Sequence, residues 1–213
     1  MASLEGSAQM TAFARVDMAE AVALRAACIA DEKGLGVRIS VTDIVLKACA
    51  MVLARSPAIN SSIIGDEVVS WAGVHVGLAV ALQDGLIVPI IRDADRKSLV
   101  EIAQERIDLA ARARAGQLTH QDMAGGTFTL SNFGSYGGEF ETPLLNPPQS
   151  AILGIGAITE EVVVRQGQIV IRPMMMLSMT FDHRLIDGAV AGAFRNDLRA
   201  LLERPATMLA SLR

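Results

Sequence analysis

The chain has 213 residues, 51% hydrophobic, 20% charged and only 4% aromatic, with a formal net charge of -4. That is enough apolar material for the core of one large domain built from Ala, Val, Ile, Leu and Met. The dispersed, slightly acidic charge offers no basic stripe for a phosphate backbone, so no nucleic-acid partner is expected.

In chain order, a short strand is expected over residues 10–16. Asp17 caps a helix running to about Glu32 and stopped by Gly34 and Gly36. Ser40, with Asp43 three residues on, opens a second helix to about Arg55, ahead of Pro57. Ile63-Ile64 and Val68-Val69 flank Gly65-Asp66 as a hairpin, and strands follow at 75–82 and 86–91 around a turn at Gln83-Asp84-Gly85. Ser98 and Glu101 form a capping box for a charged helix whose inner face carries Leu99, Ile102, Ile107 and Ala110. The second half reads as strands at 127–132, 151–155, 160–165 and 168–180, with a turn at Gln166-Gly167, before a last helix carrying Val190, Phe194, Leu198 and Leu202 at helical spacing.

Helices at both ends and in the middle, strands between them and no repeat predict an α+β sandwich with a mixed sheet, and 1–213 as one domain. The most apolar stretches, 74–82 and 86–91, are too short or too interrupted to span a bilayer, so no membrane partner is expected. The first residues lack the basic and apolar regions of a signal peptide. Cys28 and Cys49 sit among Ala, Leu and Ile without a metal-ligand spacing and read as buried free thiols of a reducing compartment. His75 reads as a hydrogen-bonded core residue and His120 as a surface residue near a helix cap; with His183 far from both in sequence, no metal site is expected.

Two segments carry chemistry. Phe181-Asp182-His183-Arg184-Leu185-Ile186-Asp187-Gly188 places an imidazole where an apolar strand ends and a helix begins, with Asp187 a natural N-cap. Taken alone it also fits a structural histidine beside a capping aspartate. Gly125-Gly126-Thr127-Phe128-Thr129-Leu130-Ser131-Asn132-Phe133-Gly134 runs an alternating strand into a glycine-rich bend, displaying Ser131 or Asn132 at its end. Alone it is also an ordinary turn. The methionines before His183, Met174, Met175, Met176 and Met179, read as core rather than as the wall of a channel.

With Asn146-Pro147-Pro148-Gln149-Ser150-Ala151-Ile152-Leu153-Gly154 and Asp84-Gly85-Leu86-Ile87-Val88-Pro89-Ile90-Ile91-Arg92, these segments resemble the catalytic domain of the dihydrolipoyl acyltransferases, the core subunits of the 2-oxo acid dehydrogenase complexes. The resemblance runs from about Met10 to the C-terminus. It implies the two-layer sandwich of the chloramphenicol acetyltransferase type, assembled as a homotrimer and onward into a cubic or dodecahedral core. It implies His183 as general base, Ser131 as oxyanion donor, and Asp187 as a residue holding the site through a salt link. His183 and Ser131 are then expected to meet across a subunit boundary.

The implied substrates are coenzyme A or acyl-CoA and dihydrolipoamide, with no metal. His183 takes the proton of the attacking thiol, whose pKa near 8.5 otherwise keeps it mostly protonated. Ser131 stabilises the oxyanion. Acetyl is the favoured acyl group and a branched-chain acyl the next, in a pyruvate-dehydrogenase-type complex. A free-standing CoA-dependent acyltransferase with another acceptor, or a non-catalytic scaffold core, are the alternatives. Lipoyl and peripheral-subunit-binding domains, through which the dehydrogenase subunits are reached, are expected to be absent and the first helix truncated. The implied location is the bacterial cytoplasm or the mitochondrial matrix.

Overall fold

The computed structural model describes residues 2–210. A one-turn helix α1 (Ala2–Glu5) precedes β1 (Gln9–Asp17) and α2 (Ala19–Ala30). Met18, not Asp17, occupies the N-cap of α2; the Asp17 carboxylate accepts from the Ala19 N–H at 3.1 Å and pairs with Arg165 at 3.3 Å. A further turn, α3 (Glu32–Leu35), closes on Gly36 at φ 68°. Helix α4 (Val41–Leu53) opens with the expected reciprocal box: Ser40 Oγ accepts from the Asp43 N–H, and Asp43 accepts from the Ser40 N–H. Ten of its residues are buried, including Ile44, Leu46, Val52 and Leu53. Each such aliphatic side chain removed from water contributes about 1.5–3 kcal/mol.

The hairpin β2 (Ser61–Ile64) and β3 (Glu67–Ser70) is as expected. The two strands expected next are each cut in two. β4 (Val76–Leu78) and β7 (Ile90–Ile91) belong to the main sheet, whereas β5 (Val80–Leu82) and β6 (Gly85–Ile87) form a separate hairpin. Pro89 explains the break: it has no N–H to donate to a ladder, and its carbonyl accepts from the Leu78 N–H instead. In α5 (Leu99–Arg114) the capping box is present, but the inner face is Ile102, Ala103, Leu109 and Ala113. Ile107 is turned to solvent, because Arg106 faces inward to pair with the fully buried Asp43 at 2.5 Å and so sets the rotation of the helix.

After α6 (His120–Met123) come β8 (Phe128–Asn132), a 3-10 turn at Gly134–Tyr136, β9 (Ala151–Arg165) and β10 (Gln168–Asp182). β9 is one strand where the sequence suggested two, because β10 pairs along nearly its whole length and absorbs the mismatch in an irregularity between Met175 and Leu177. Gln166 and Gly167, both at positive φ, make the two-residue turn between them. The last elements among the described residues are α7 (Gly188–Glu203) and α8 (Thr207–Ala210).

The main sheet has the order β1-β10-β9-β8-β4-β7 and is mixed: β8 runs parallel to β9 and β4, and the other pairings are antiparallel. Helices α2, α4 and α7 pack together against one face, with the rings of Phe128 and Phe194 joining sheet to helix at 6.1 Å. This is the α+β sandwich with a mixed sheet that was expected. Over the other face lies the segment 133–150. It comes close only because two glycines permit it: a Cβ on Gly134 would stand 2.3 Å from the Gly156 backbone, and one on Gly156 would stand 1.9 Å from the Glu139 carbonyl oxygen. Cys49 is buried, and burial pushes its thiol pKa up, away from reactivity. Cys28 departs from expectation: it is half-buried, on the wall of an apolar groove between α2 and α4.

Candidate active site

His183 follows β10 directly. Its backbone N–H donates to the Ala8 carbonyl at 2.8 Å, its ring stands 5.8 Å from that of Phe181, and its side chain is exposed. Neither ring nitrogen has a hydrogen-bond partner among the described residues. The turn that carries it is pinned by its neighbours. The buried Asp182 carboxylate accepts from Arg184 Nε at 3.0 Å and a guanidinium NH2 group at 2.5 Å, and from the N–H groups of Arg184 and Ala8. Arg184 also donates to the Gly6 carbonyl at 2.7 Å, tying the N-terminal segment to the turn. Burial pushes the Asp182 carboxyl up, but the hydrogen bonds from Arg184 and Ala8 outweigh it and hold the group below the usual carboxylate range. The same hydrogen bond raises Arg184.

Asp187 caps α7, accepting from the Val190 N–H at 2.8 Å. It makes no ion pair among the described residues of one chain; the charge pair seen in this turn is that of Asp182 and Arg184. A carboxylate committed to a helix N-terminus is already stabilised there.

Ser131 is the fourth of the five residues of β8 and stands opposite Gly154. Strand alternation sends Phe128 and Leu130 into the helical core and Thr129 and Ser131 to the other face. The Ser131 hydroxyl has no hydrogen-bond partner among the described residues, and it lies on a cleft of about 460 Å³ whose walls include Leu78, Val80, Leu86, Arg106 and Tyr136. Asn132, the other residue displayed by the bend, is committed to structure: its Nδ2 donates to Thr42 Oγ1 at 2.9 Å and its Oδ1 accepts from the Ser135 N–H at 3.1 Å.

One chain does not bring His183 and Ser131 together. Across the sheet, Ser131 aligns with Gly154 and that in turn with Ser178, five residues before His183 and two strands away. At about 3.3 Å per residue and 4.8 Å per strand the two are on the order of 19 Å apart.

The other predicted positions resolve simply. His75 is half-buried beside β4; its Nδ1 accepts from the Asp93 N–H at 3.0 Å, a hydrogen-bonded structural residue as expected. His120 is exposed at the first turn of α6, after the N-cap Thr119. Met174, Met175 and Met179 are buried, and Met174 and Met176 line a small cavity with Arg15 and Phe140. The apolar groove of about 590 Å³ that holds Cys28 contains none of the predicted site residues. Among the described residues no group of three or more His, Cys, Asp and Glu could hold a metal ion, and no helix is long and apolar enough to cross a membrane. Sequence reasoning missed Thr42, whose place beside Ser131 comes from a contact between residues 90 positions apart.

The family of 2-oxoacid dehydrogenase acyltransferase catalytic domains matches residues 1–210. The chain belongs to this family. Among its acyltransferase relatives, the dihydrolipoyllysine-residue succinyltransferase of the 2-oxoglutarate dehydrogenase complex of Haemophilus influenzae is 41% identical over 207 residues, covering 97% of this chain and 51% of the relative. The acetyltransferase of the acetoin cleaving system of Bacillus subtilis is 38% identical over 208 residues, covering 97% and 52%. This acyltransferase domain thus spans about half the length of the curated relatives it matches. The solved dihydrolipoamide acetyltransferase of Azotobacter vinelandii superposes with a TM-score of 0.94 at 37% identity, covering 97% of this chain and 86% of that one. The cubic core of a pyruvate dehydrogenase multienzyme complex matches with the same score at 38% identity and the same coverage. Chloramphenicol acetyltransferase, at 16% identity and a TM-score of 0.57 over 91% of this chain and 88% of that one, shares the fold.

Proposed function

We propose that residues 1–213 form one catalytic domain that moves an acyl group between the thiols of dihydrolipoamide and coenzyme A, in a site shared by two copies of the chain. The observation that carries this is a pair of groups on one sheet, an imidazole just past the end of β10 and a hydroxyl near the end of β8, neither with a hydrogen-bond partner among the described residues and too far apart to act on one carbonyl within a chain. A second copy supplies the missing half. The Azotobacter vinelandii acetyltransferase supports the roles, since the serine, histidine and asparagine investigated in its catalytic mechanism are spaced by 52 and 4 residues. Ser131, His183 and Asp187 keep both spacings, with Asp in place of Asn.

In the proposed reaction His183 of one copy accepts the proton of the attacking thiol. The thiolate adds to the thioester carbonyl while Ser131 of the neighbouring copy donates a hydrogen bond to the oxyanion. Collapse expels the other thiolate, which His183 reprotonates, so acyl group and proton both end balanced with no acyl-enzyme. Asp187 orders the turn by capping α7. No metal takes part. The stripe Val162, Val164, Ile169 and Ile171, all exposed on one face of the β9–β10 hairpin, is apolar surface of the kind a further subunit covers.

The quaternary unit is a trimer within a larger core, served by lipoyl domains and by 2-oxo acid dehydrogenase and dihydrolipoamide dehydrogenase partners. The location is bacterial cytoplasm or mitochondrial matrix. The serine at 131 favours acetyl, then branched-chain acyl; the succinyltransferases among the most similar relatives favour succinyl in a 2-oxoglutarate complex. The test is coenzyme A release from acetyl-CoA and succinyl-CoA with dihydrolipoamide as acceptor. Turnover is expected with one of them or with a branched-chain acyl-CoA and collapses in His183→Ala; no turnover with any of the three by an assembled protein sinks the reading.

A further inference from the structure

Thr42 is the second residue of α4 and lines the cleft that holds Ser131. Its Oγ1 accepts a hydrogen bond from Asn132 Nδ2 at 2.9 Å, and Asn132 is itself held through its Oδ1 by the Ser135 N–H. A hydroxyl has one proton to donate and two lone pairs. With an amide N–H approaching one lone pair, the Thr42 proton points elsewhere, and no acceptor for it exists among the described residues. Two hydroxyls, those of Ser131 on the sheet face away from the helices and Thr42 on the helical side, therefore line one cleft with no acceptor for their protons among the described residues. The positive end of α4, a helix of 13 residues, lies behind the second of them.

We propose that Thr42 is a substrate-binding residue of this cleft, donating its hydroxyl proton to the carbonyl oxygen of the acyl thioester, and that Asn132 is the positioning residue that aims it. The inference rests on the acyltransferase reading above. Asn132 joins the end of β8 to the start of α4, so the two hydroxyls keep a common frame although they lie 89 positions apart. The carbonyl they address exists in acyl-CoA and not in coenzyme A, which gives the proposal a readout of its own.

The experiment measures binding of acetyl-CoA, succinyl-CoA and coenzyme A by calorimetry, and turnover, for the assembled protein and for Thr42→Val, Thr42→Ser and Asn132→Ala. Thr42→Val is expected to weaken the preferred acyl-CoA severalfold while coenzyme A binds unchanged, and to lower kcat/KM about tenfold or more. Thr42→Ser, which keeps the hydroxyl, restores both, and Asn132→Ala falls between. If the parent turns over and Thr42→Val binds acyl-CoA and reacts as the parent does, the inference is overturned while the function stands. A shared loss for acyl-CoA and coenzyme A also overturns it. A parent that binds no acyl-CoA at all removes the acyltransferase reading, and this inference with it.

Discussion

The two strand ends that carry His183 and Ser131 are built on opposite plans. The clamps of the His183 turn are its own sequence neighbours, with Asp182 holding Arg184 two residues on and Asp187 capping the helix that follows, and only Gly6 and Ala8 reach it from far along the chain. The Ser131 end is held from a distance, by Thr42 through Asn132 and by glycines that let the 133–140 segment settle on β9. A local clamp makes a contiguous motif and survives changes elsewhere. A remote clamp spreads its dependence over the fold, so the Ser131 end should be the more fragile half of the site.

Substitutions can sharpen or break that contrast. His183→Ala is expected to lower turnover by about a hundred- to ten-thousandfold with an unchanged melting temperature, since the ring is exposed and has no hydrogen bond among the described residues. Ser131→Ala should cost about a hundred- to a thousandfold, again without loss of stability. Co-expressing the two inactive variants tests the shared site: mixed assemblies contain boundaries with one intact histidine and one intact serine, so activity should return. A site completed within one chain gives no recovery.

Gly156→Ala separates the two ends by stability. A methyl group 1.9 Å from a carbonyl oxygen forces the 133–140 segment off β9, and a cost of about 1–3 kcal/mol is expected in denaturant unfolding. Turnover should fall through the Ser131 half; an unchanged unfolding midpoint would show that the segment yields freely. Asp187→Ala removes a cap and should cost about 1 kcal/mol, whereas Asp187→Asn, also a good cap, should cost little. Equal losses for both would mean that the charge, not the cap, is what matters.

The smallest effect is one of pH. Asp182 has a lowered pKa in the fold, so its contribution to stability is complete above the ordinary aspartate value of about 3.9 and is lost as pH falls through the lower folded value. The melting temperature should therefore drop less steeply with acidification in Asp182→Asn than in the parent below about pH 4. Parallel curves would remove the clamp from the account of the His183 turn.

Much of this molecule was legible in its sequence because the interactions concerned are local. The boxes Ser40–Asp43 and Ser98–Glu101, the Gln166-Gly167 turn and the Asp187 cap each join residues no more than three positions apart, where residue type nearly dictates geometry. His183 at the end of its strand follows from the same short-range logic. Interactions between distant residues lay outside that logic. The breaks at Ala79 and Pro89 depend on which partner each half-strand finds. The outward turn of Ile107 depends on Arg106 reaching Asp43, 63 positions away. The setting of the Asp182–Arg184 pair depends on how the turn packs on Gly6 and Ala8. Strand register, which separates His183 from Ser131 within one chain, and the Asn132–Thr42 bond were decided only when the sheet closed, because each is a property of two segments at once.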